Sequence, residues 1–149
     1  MRAWTFLAIA MLVALSGGCA PSFTGQWLEE GVAGRDGVRA SVTGLKRMAL
    51  DFGPIAEVRY GTFDERAGVV DAASLQSAPY YKFAGGKIAQ FGAMTARLEG
   101  RQHMIVTVGD VQMRFNRHRG RSIFPPLITP PVAAADDHDS FMVARDWLK

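Results

Sequence analysis

Residues 104–115 read Met-Ile-Val-Thr-Val-Gly-Asp-Val-Gln-Met-Arg-Phe, and this stretch decides the fold. Met104, Val106 and Val108 alternate with Ile105 and Thr107, and Val111, Met113 and Phe115 alternate with Gln112 and Arg114. Strand side chains point to opposite faces in turn, so each run has one apolar face. Gly109-Asp110 between them suits a two-residue type II′ turn, whose first central position needs a positive φ that glycine adopts freely. That turn sets Val108 opposite Val111, Val106 opposite Met113 and Met104 opposite Phe115, so that all six share one face. The stretch is therefore expected to be an antiparallel hairpin with one side in a core. Ile105 is the apolar exception on its polar side.

The same grammar extends upstream. Met94, Ala96 and Leu98 alternate with Thr95, Arg97 and Glu99, and Gly100 leads into the hairpin. Tyr80–Phe83 and Lys87–Phe91 flank Gly85-Gly86, a second hairpin signal. Ala56, Val58 and Tyr60 alternate with Glu57 and Arg59. Asp64–Gly68 reads as a turn before Val69-Val70, and Met48, Leu50 and Phe52 form another apolar face before Gly53-Pro54. Short strands punctuated by glycine, with no sustained helical period, predict an all-β fold. Its expected form is an antiparallel meander of about eight strands, closed or nearly closed into a barrel.

The two ends of the chain differ from this middle. Ile123–Pro131 cannot form a central strand, because its prolines lack the ladder donor. Phe141–Lys149 is expected to form a short helix with Phe141, Ala144, Trp147 and Leu148 on one side. At the other end, Met1-Arg2 precedes an uncharged run, Ala3–Leu15, followed by Ser16-Gly17-Gly18. A charged start, a short apolar core and small residues define a secretory signal, and the run is shorter than the ~20 residues that span a bilayer.

Leu15-Ser16-Gly17-Gly18-Cys19 resembles the lipobox of bacterial lipoproteins, with the leucine one position further from the cysteine than is usual there. The resemblance implies cleavage before Cys19, diacylation of that cysteine, and tethering to a membrane. Cleavage after Ala20 by ordinary signal peptidase is the alternative, which Pro21 disfavours. By analogy with lipoprotein sorting in enteric bacteria, Ala20 implies the outer membrane. The expected organisation is a signal peptide over 1–18, a lipidated spacer over 19–22, a barrel over 23–121 and a Pro-rich extension over 122–149. Export makes nucleic acid a poor partner. Cys19 is the sole cysteine, so neither a disulfide nor a cysteine metal site is available to the mature chain.

Phe23-Thr24-Gly25-Gln26-Trp27 has the form F-x-G-x-W and resembles the first strand of lipocalins and fatty-acid-binding proteins. The resemblance implies a structural cluster in which Trp27, next to Gly25, closes one end of the barrel. An arginine of the last strand, Arg114 or Arg117, would pack across it. It also implies a small apolar or amphipathic ligand inside the barrel. Tyr60, Tyr81, Phe83, Phe91 and Phe115 are then the candidate pocket lining, if they do not simply fill the core. The helical lid of fatty-acid-binding proteins has no counterpart, since residues 31–46 are Gly-rich and read as loop and strand.

Other groups carry weaker chemistry. Asp136, Asp137, His138 and Asp139 are better explained as the start of a helix, where acids complement the dipole, than as metal ligands. Asp64 and Glu65 sit in a turn beside Arg66 rather than in an acid/base pair. His103 and His118 lack a nucleophile motif. No cofactor is implied. The arginines between 114 and 121 suit either solubility or anionic lipid headgroups. The leading expectation is non-enzymatic binding of a small apolar or amphipathic ligand in the barrel; the alternative is docking of an envelope protein partner through the C-terminal extension, as an accessory lipoprotein, inhibitor or immunity factor. An open or a filled barrel interior separates them.

Overall fold

The structure is a computed structural model that describes residues 20–127. Cys19, the signal segment and the expected C-terminal helix lie outside the described residues. Twelve strands follow in chain order: β1 (Gly25–Glu29), β2 (Val32–Ala33), β3 (Arg39–Ala40), β4 (Met48–Phe52), β5 (Glu57–Asp64), β6 (Val69–Val70), β7 (Gln76–Pro79), β8 (Tyr81–Phe83), β9 (Ile88–Phe91), β10 (Met94–Glu99), β11 (His103–Val108) and β12 (Val111–Arg117). One short 3-10 turn, Ala72–Ser74, is capped by the Asp71 carboxylate, which accepts the Ala73 N–H at 3.0 Å.

Every strand pairing among the described residues is antiparallel, and the sheet order is β6-β5-β4-β1-β12-β11-β10-β9-β8 with β7 also on β5. Only Tyr80 separates β7 from β8. One bent segment therefore pairs with β5 through Gln76–Pro79 and with β9 through Tyr81–Phe83. It reaches both limits of the curled sheet, which is thereby nearly closed into a barrel. Counting that segment once, and leaving aside the two-residue strands, the wall has the expected eight strands.

The β11–β12 hairpin has the register read from its sequence: Val108↔Val111, Val106↔Met113, Met104↔Phe115. Gly109 has φ +56° and Asp110 is not in the left-handed region, as a type II′ turn requires. One detail differs. Val111 is 40 % exposed because it sits at the rim beside the turn, beyond the reach of the opposite wall. Ala56 also differs: at φ +44° it belongs to the β4–β5 turn, and the apolar face of β5 begins at Val58.

Inside, Phe52 is the hub. Its ring meets Phe23 at 5.2 Å, Tyr80 at 5.1 Å and Phe91 at 5.5 Å, the last two edge to face. Such geometries suit aromatic quadrupoles. Leu50, Val58, Met104, Val106 and Phe115, each without exposed surface, belong to the same cluster. Burial raises the Tyr80 pKa, and its hydroxyl donates to the Gly53 carbonyl at 3.0 Å.

A second, smaller core lies on the outside of the sheet: Ala49, Phe63, Val70, Ile123 and Phe124, with Leu28 and Leu75 against it. Here the first residues of the Pro-rich extension join the fold. Residues 122–125 form no strand, as its prolines require, yet they are strapped to the wall. Gln26 Nε2 donates to Ser122 Oγ at 2.7 Å, the Ile123 N–H to Gln26 Oε1 at 3.0 Å, and the Val70 N–H to the Ile123 carbonyl at 2.7 Å. Gly61 permits this second layer, because a Cβ there would lie 2.8 Å from Val70 Cγ1.

Candidate functional site

The N-terminal end of the barrel is organised by two adjacent strands. β1 and β12 pair so that Trp27 faces Arg117. Trp27 is fully buried, and its indole Nε1–H donates to the Phe23 carbonyl at 2.7 Å. The Arg117 guanidinium lies 4.2 Å from the ring centroid, within cation–π range. The same guanidinium ties three segments together: Nη1 donates to the Thr24 carbonyl at 2.6 Å, Nη2 to the Ser22 carbonyl, and Nε to the Arg101 carbonyl at 2.8 Å. Desolvation, and then Arg119 nearby, lower its pKa.

Gly25 is the residue that lets the guanidinium in. It has φ +119°, and a Cβ there would stand 3.0 Å from Arg117 Nη1. Of the two arginines proposed to cross the tryptophan, the structure places Arg117 there. Arg114 points outward, 3.8 Å from Glu99 Oε2 at an exposed site.

The five candidate pocket residues do not gather in one cavity. Phe91 and Phe115 are buried in the packed interior, and Tyr60 is half-buried at its margin, 6.3 Å from the Phe91 ring. Tyr81 and Phe83 are exposed, because they pair with Gln90 and Ile88 on the outer face of the wall, opposite in parity to the buried Ala89 and Phe91.

The clefts are outside the barrel. One, of about 820 Å³, is lined by Arg59, Val69, His118, Arg121, Ile123 and Phe124 among others. Arg59 is engaged within the fold: its Nη2 pairs with Asp51 at 2.5 Å, and its guanidinium lies 5.2 Å from the Phe124 ring. His118 Nε2 is 2.8 Å from the Arg121 carbonyl, and His103 Nδ1 is 2.8 Å from Asn116 Oδ1.

The carboxylates at 64 and 65 also have structural work. The Asp64 pKa is lowered by the backbone N–H groups of Ala67 and Arg66, which its carboxylate accepts. Glu65 takes both Nε and Nη2 of Arg47, at 2.5 and 3.1 Å. Among the described residues, no group of three or more His, Cys, Asp or Glu could hold a metal ion.

Glu29 is the feature that sequence reading missed. It is 1 % exposed. Its Oε1 accepts the Ser41 hydroxyl at 2.7 Å and the Val42 N–H at 3.2 Å, and its Oε2 accepts the Met48 N–H at 3.0 Å. The available signal was parity, since Glu29 lies two residues beyond the inward-facing Trp27 and so falls on the same face.

No protein-family model matches the chain, and no curated protein or solved structure matches it either.

Proposed function

We propose that this chain is a lipid-tethered protein of the bacterial cell envelope that acts without catalysis, by docking a protein partner with its outer surface and C-terminal extension. The observation that carries this reading is the filled interior. Trp27, Phe52, Phe91, Met104 and Phe115 occupy the space in which a lipocalin-like barrel would hold its ligand. Barrels of about eight strands either fill with side chains or hold one small molecule. The clefts lie outside, where Ile123 and Phe124 fix the start of the C-terminal extension against the wall.

Two measurements test the filled interior and the tether. Purified protein is expected to emerge ligand-free in native mass spectrometry and to leave the emission of a fluorescent fatty acid unchanged. Stoichiometric uptake, abolished by a bulkier residue at Ala96 in the interior, would restore the ligand-binding reading. The tether rests on the lipobox resemblance at Cys19. Cys19→Ser is expected to abolish incorporation of labelled fatty acid in cells, because the thiolate sulfur that takes the lipid is gone. Labelling that persists in this variant would remove Cys19 as the attachment point.

A further inference from the structure

The strands alternate in direction, so their connections fall at two ends of the barrel, and these ends differ in charge. One end collects the segment before β1, the β4–β5 turn (53–56), the β8–β9 turn (84–87), the β10–β11 turn (100–102) and the residues after β12 (118–121). These segments contain Lys87, Arg101, Arg119 and Arg121, and not one Asp or Glu. The opposite end mixes signs, with Glu30, Asp36, Glu65 and Asp110 beside Arg35 and Arg66.

The cationic end is also where the chain enters. Arg117 holds the Ser22 and Thr24 carbonyls and, through Nε, the carbonyl of Arg101 in the β10–β11 turn. The start of the described chain, Ala20, therefore leaves the barrel at this rim, one residue from Cys19. The rim has apolar relief too: Ile55, in the β4–β5 turn, is 86 % exposed, and it shares a cleft with Leu127, 75 % exposed. The acids nearest this rim are at strand ends. Glu99 is paired with Arg97 at 3.2 Å, and Glu57 stands at the first position of β5.

We infer that this end of the barrel rests on an anionic phospholipid surface, with Lys87, Arg119 and Arg121 at the headgroups and Ile55 entering the interfacial layer. The bilayer is favoured over an acidic protein because the tether proposed at Cys19 would emerge through the same rim, so the inference rests on that reading for its choice of partner. A basic residue near an anionic membrane contributes roughly fivefold in partitioning (about 1 kcal/mol), and salt screens the attraction. The orientation leaves the mixed-charge end facing away from the membrane.

The test uses the chain from residue 19 onward carrying Cys19→Ser, which has no lipid. It retains both cores, whose residues all lie between Phe23 and Phe124. Co-sedimentation is measured with vesicles of phosphatidylglycerol mixed with phosphatidylcholine, and with phosphatidylcholine alone. Binding to the anionic vesicles only, weakened by salt, is expected. The triple variant Lys87→Gln, Arg119→Gln, Arg121→Gln should lose about a hundredfold in affinity, the product of three such steps. A control triple, Arg35→Gln, Lys46→Gln, Arg66→Gln at the other end, should lose less than a few fold, and circular dichroism should show both variants folded. No anionic-vesicle binding, equal binding to neutral vesicles, or equal loss in the two triples overturns the inference. An acidic protein partner would give the first of these outcomes. None of these results bears on lipid labelling at Cys19, so the tether and the orientation can fail separately.

Discussion

Replacing Trp27 with alanine is expected to remove a large share of the stability of the barrel. Large aromatic-to-alanine changes in cores cost about 3–5 kcal/mol, out of a total that for small domains is about 5–15 kcal/mol. Trp27 should lie at the upper end, for three reasons beyond its area. It is fully buried between β4 and β12, so a large cavity remains. Its indole N–H is the donor to the Phe23 carbonyl. Its ring is the face on which Arg117 lies, and without it a half-buried guanidinium loses an apolar partner while still bound to three carbonyls. For a domain of about 100 residues, such a loss lowers Tm by roughly 15–30 °C. Thermal unfolding followed by circular dichroism measures it. Trp27→Phe separates the contributions: it keeps a ring under Arg117 and deletes the N–H, so a loss of about 1–2 kcal/mol is expected. If Trp27→Ala melts within a few degrees of the parent, the closing role of the tryptophan is wrong.

The wall of the barrel was legible because each strand between Met94 and Phe115 has one wet face and one dry face, and period-two alternation survives even in single residues such as Ala96 and Arg97. The turn at Gly109-Asp110 then set the register without ambiguity. Closure was legible only as a class. What closes the sheet is the bend at Tyr80, where the apolar and polar positions of Gln76–Phe83 keep no clean alternation, since half of the segment pairs with β5 and half with β9. The outer core was hidden for a related reason. Leu28, Ala49 and Phe63 lie on the face that parity assigns to water, and they are covered by Val70, by Leu75 and, from far along the chain, by Ile123 and Phe124. Prolines at 125 and 126 rightly exclude a strand there, but exclusion from a ladder says nothing about packing of the residues just before them.

The same limits apply to the site residues. F-x-G-x-W pointed to Gly25 and Trp27, but Arg114 and Arg117 are chemically alike, and the choice between them depends on register. β1 meets β12 at Trp27↔Arg117, two residues past the core-filling Phe115, so Arg117 has the inward parity and Arg114 the outward one. For the aromatics, type alone could not separate a pocket from a core. Phe91 and Phe115 are inward by register, whereas Tyr81 and Phe83 pair with the outward Gln90 and Ile88.

Glu29→Ala is expected to cost nearly as much as the tryptophan change, by a different mechanism. The carboxylate supplies the acceptors for the buried Ser41 hydroxyl and for the partly buried Val42 and Met48 N–H groups. Each orphaned donor costs about 1–3 kcal/mol, and the two partly exposed backbone donors lie at the lower end of that range. A total of about 3–5 kcal/mol follows. Glu29→Gln should cost less, about 2 kcal/mol, because its carbonyl can still serve Ser41 and Val42 while its amide confronts the Met48 N–H donor to donor. Chemical denaturation gives the magnitudes, and amide exchange gives the location: Val42 and Met48 should lose protection before the β11–β12 ladder does. The carboxylate pins residues 41–48, at the end of the barrel opposite Arg117, so binding to anionic vesicles should persist in Glu29→Gln. A Glu29→Ala protein as stable as the parent would mean that residues 41–48 are held by their other contacts, chiefly Arg47 with the Glu29 carbonyl and Glu65, and that the buried carboxylate is dispensable.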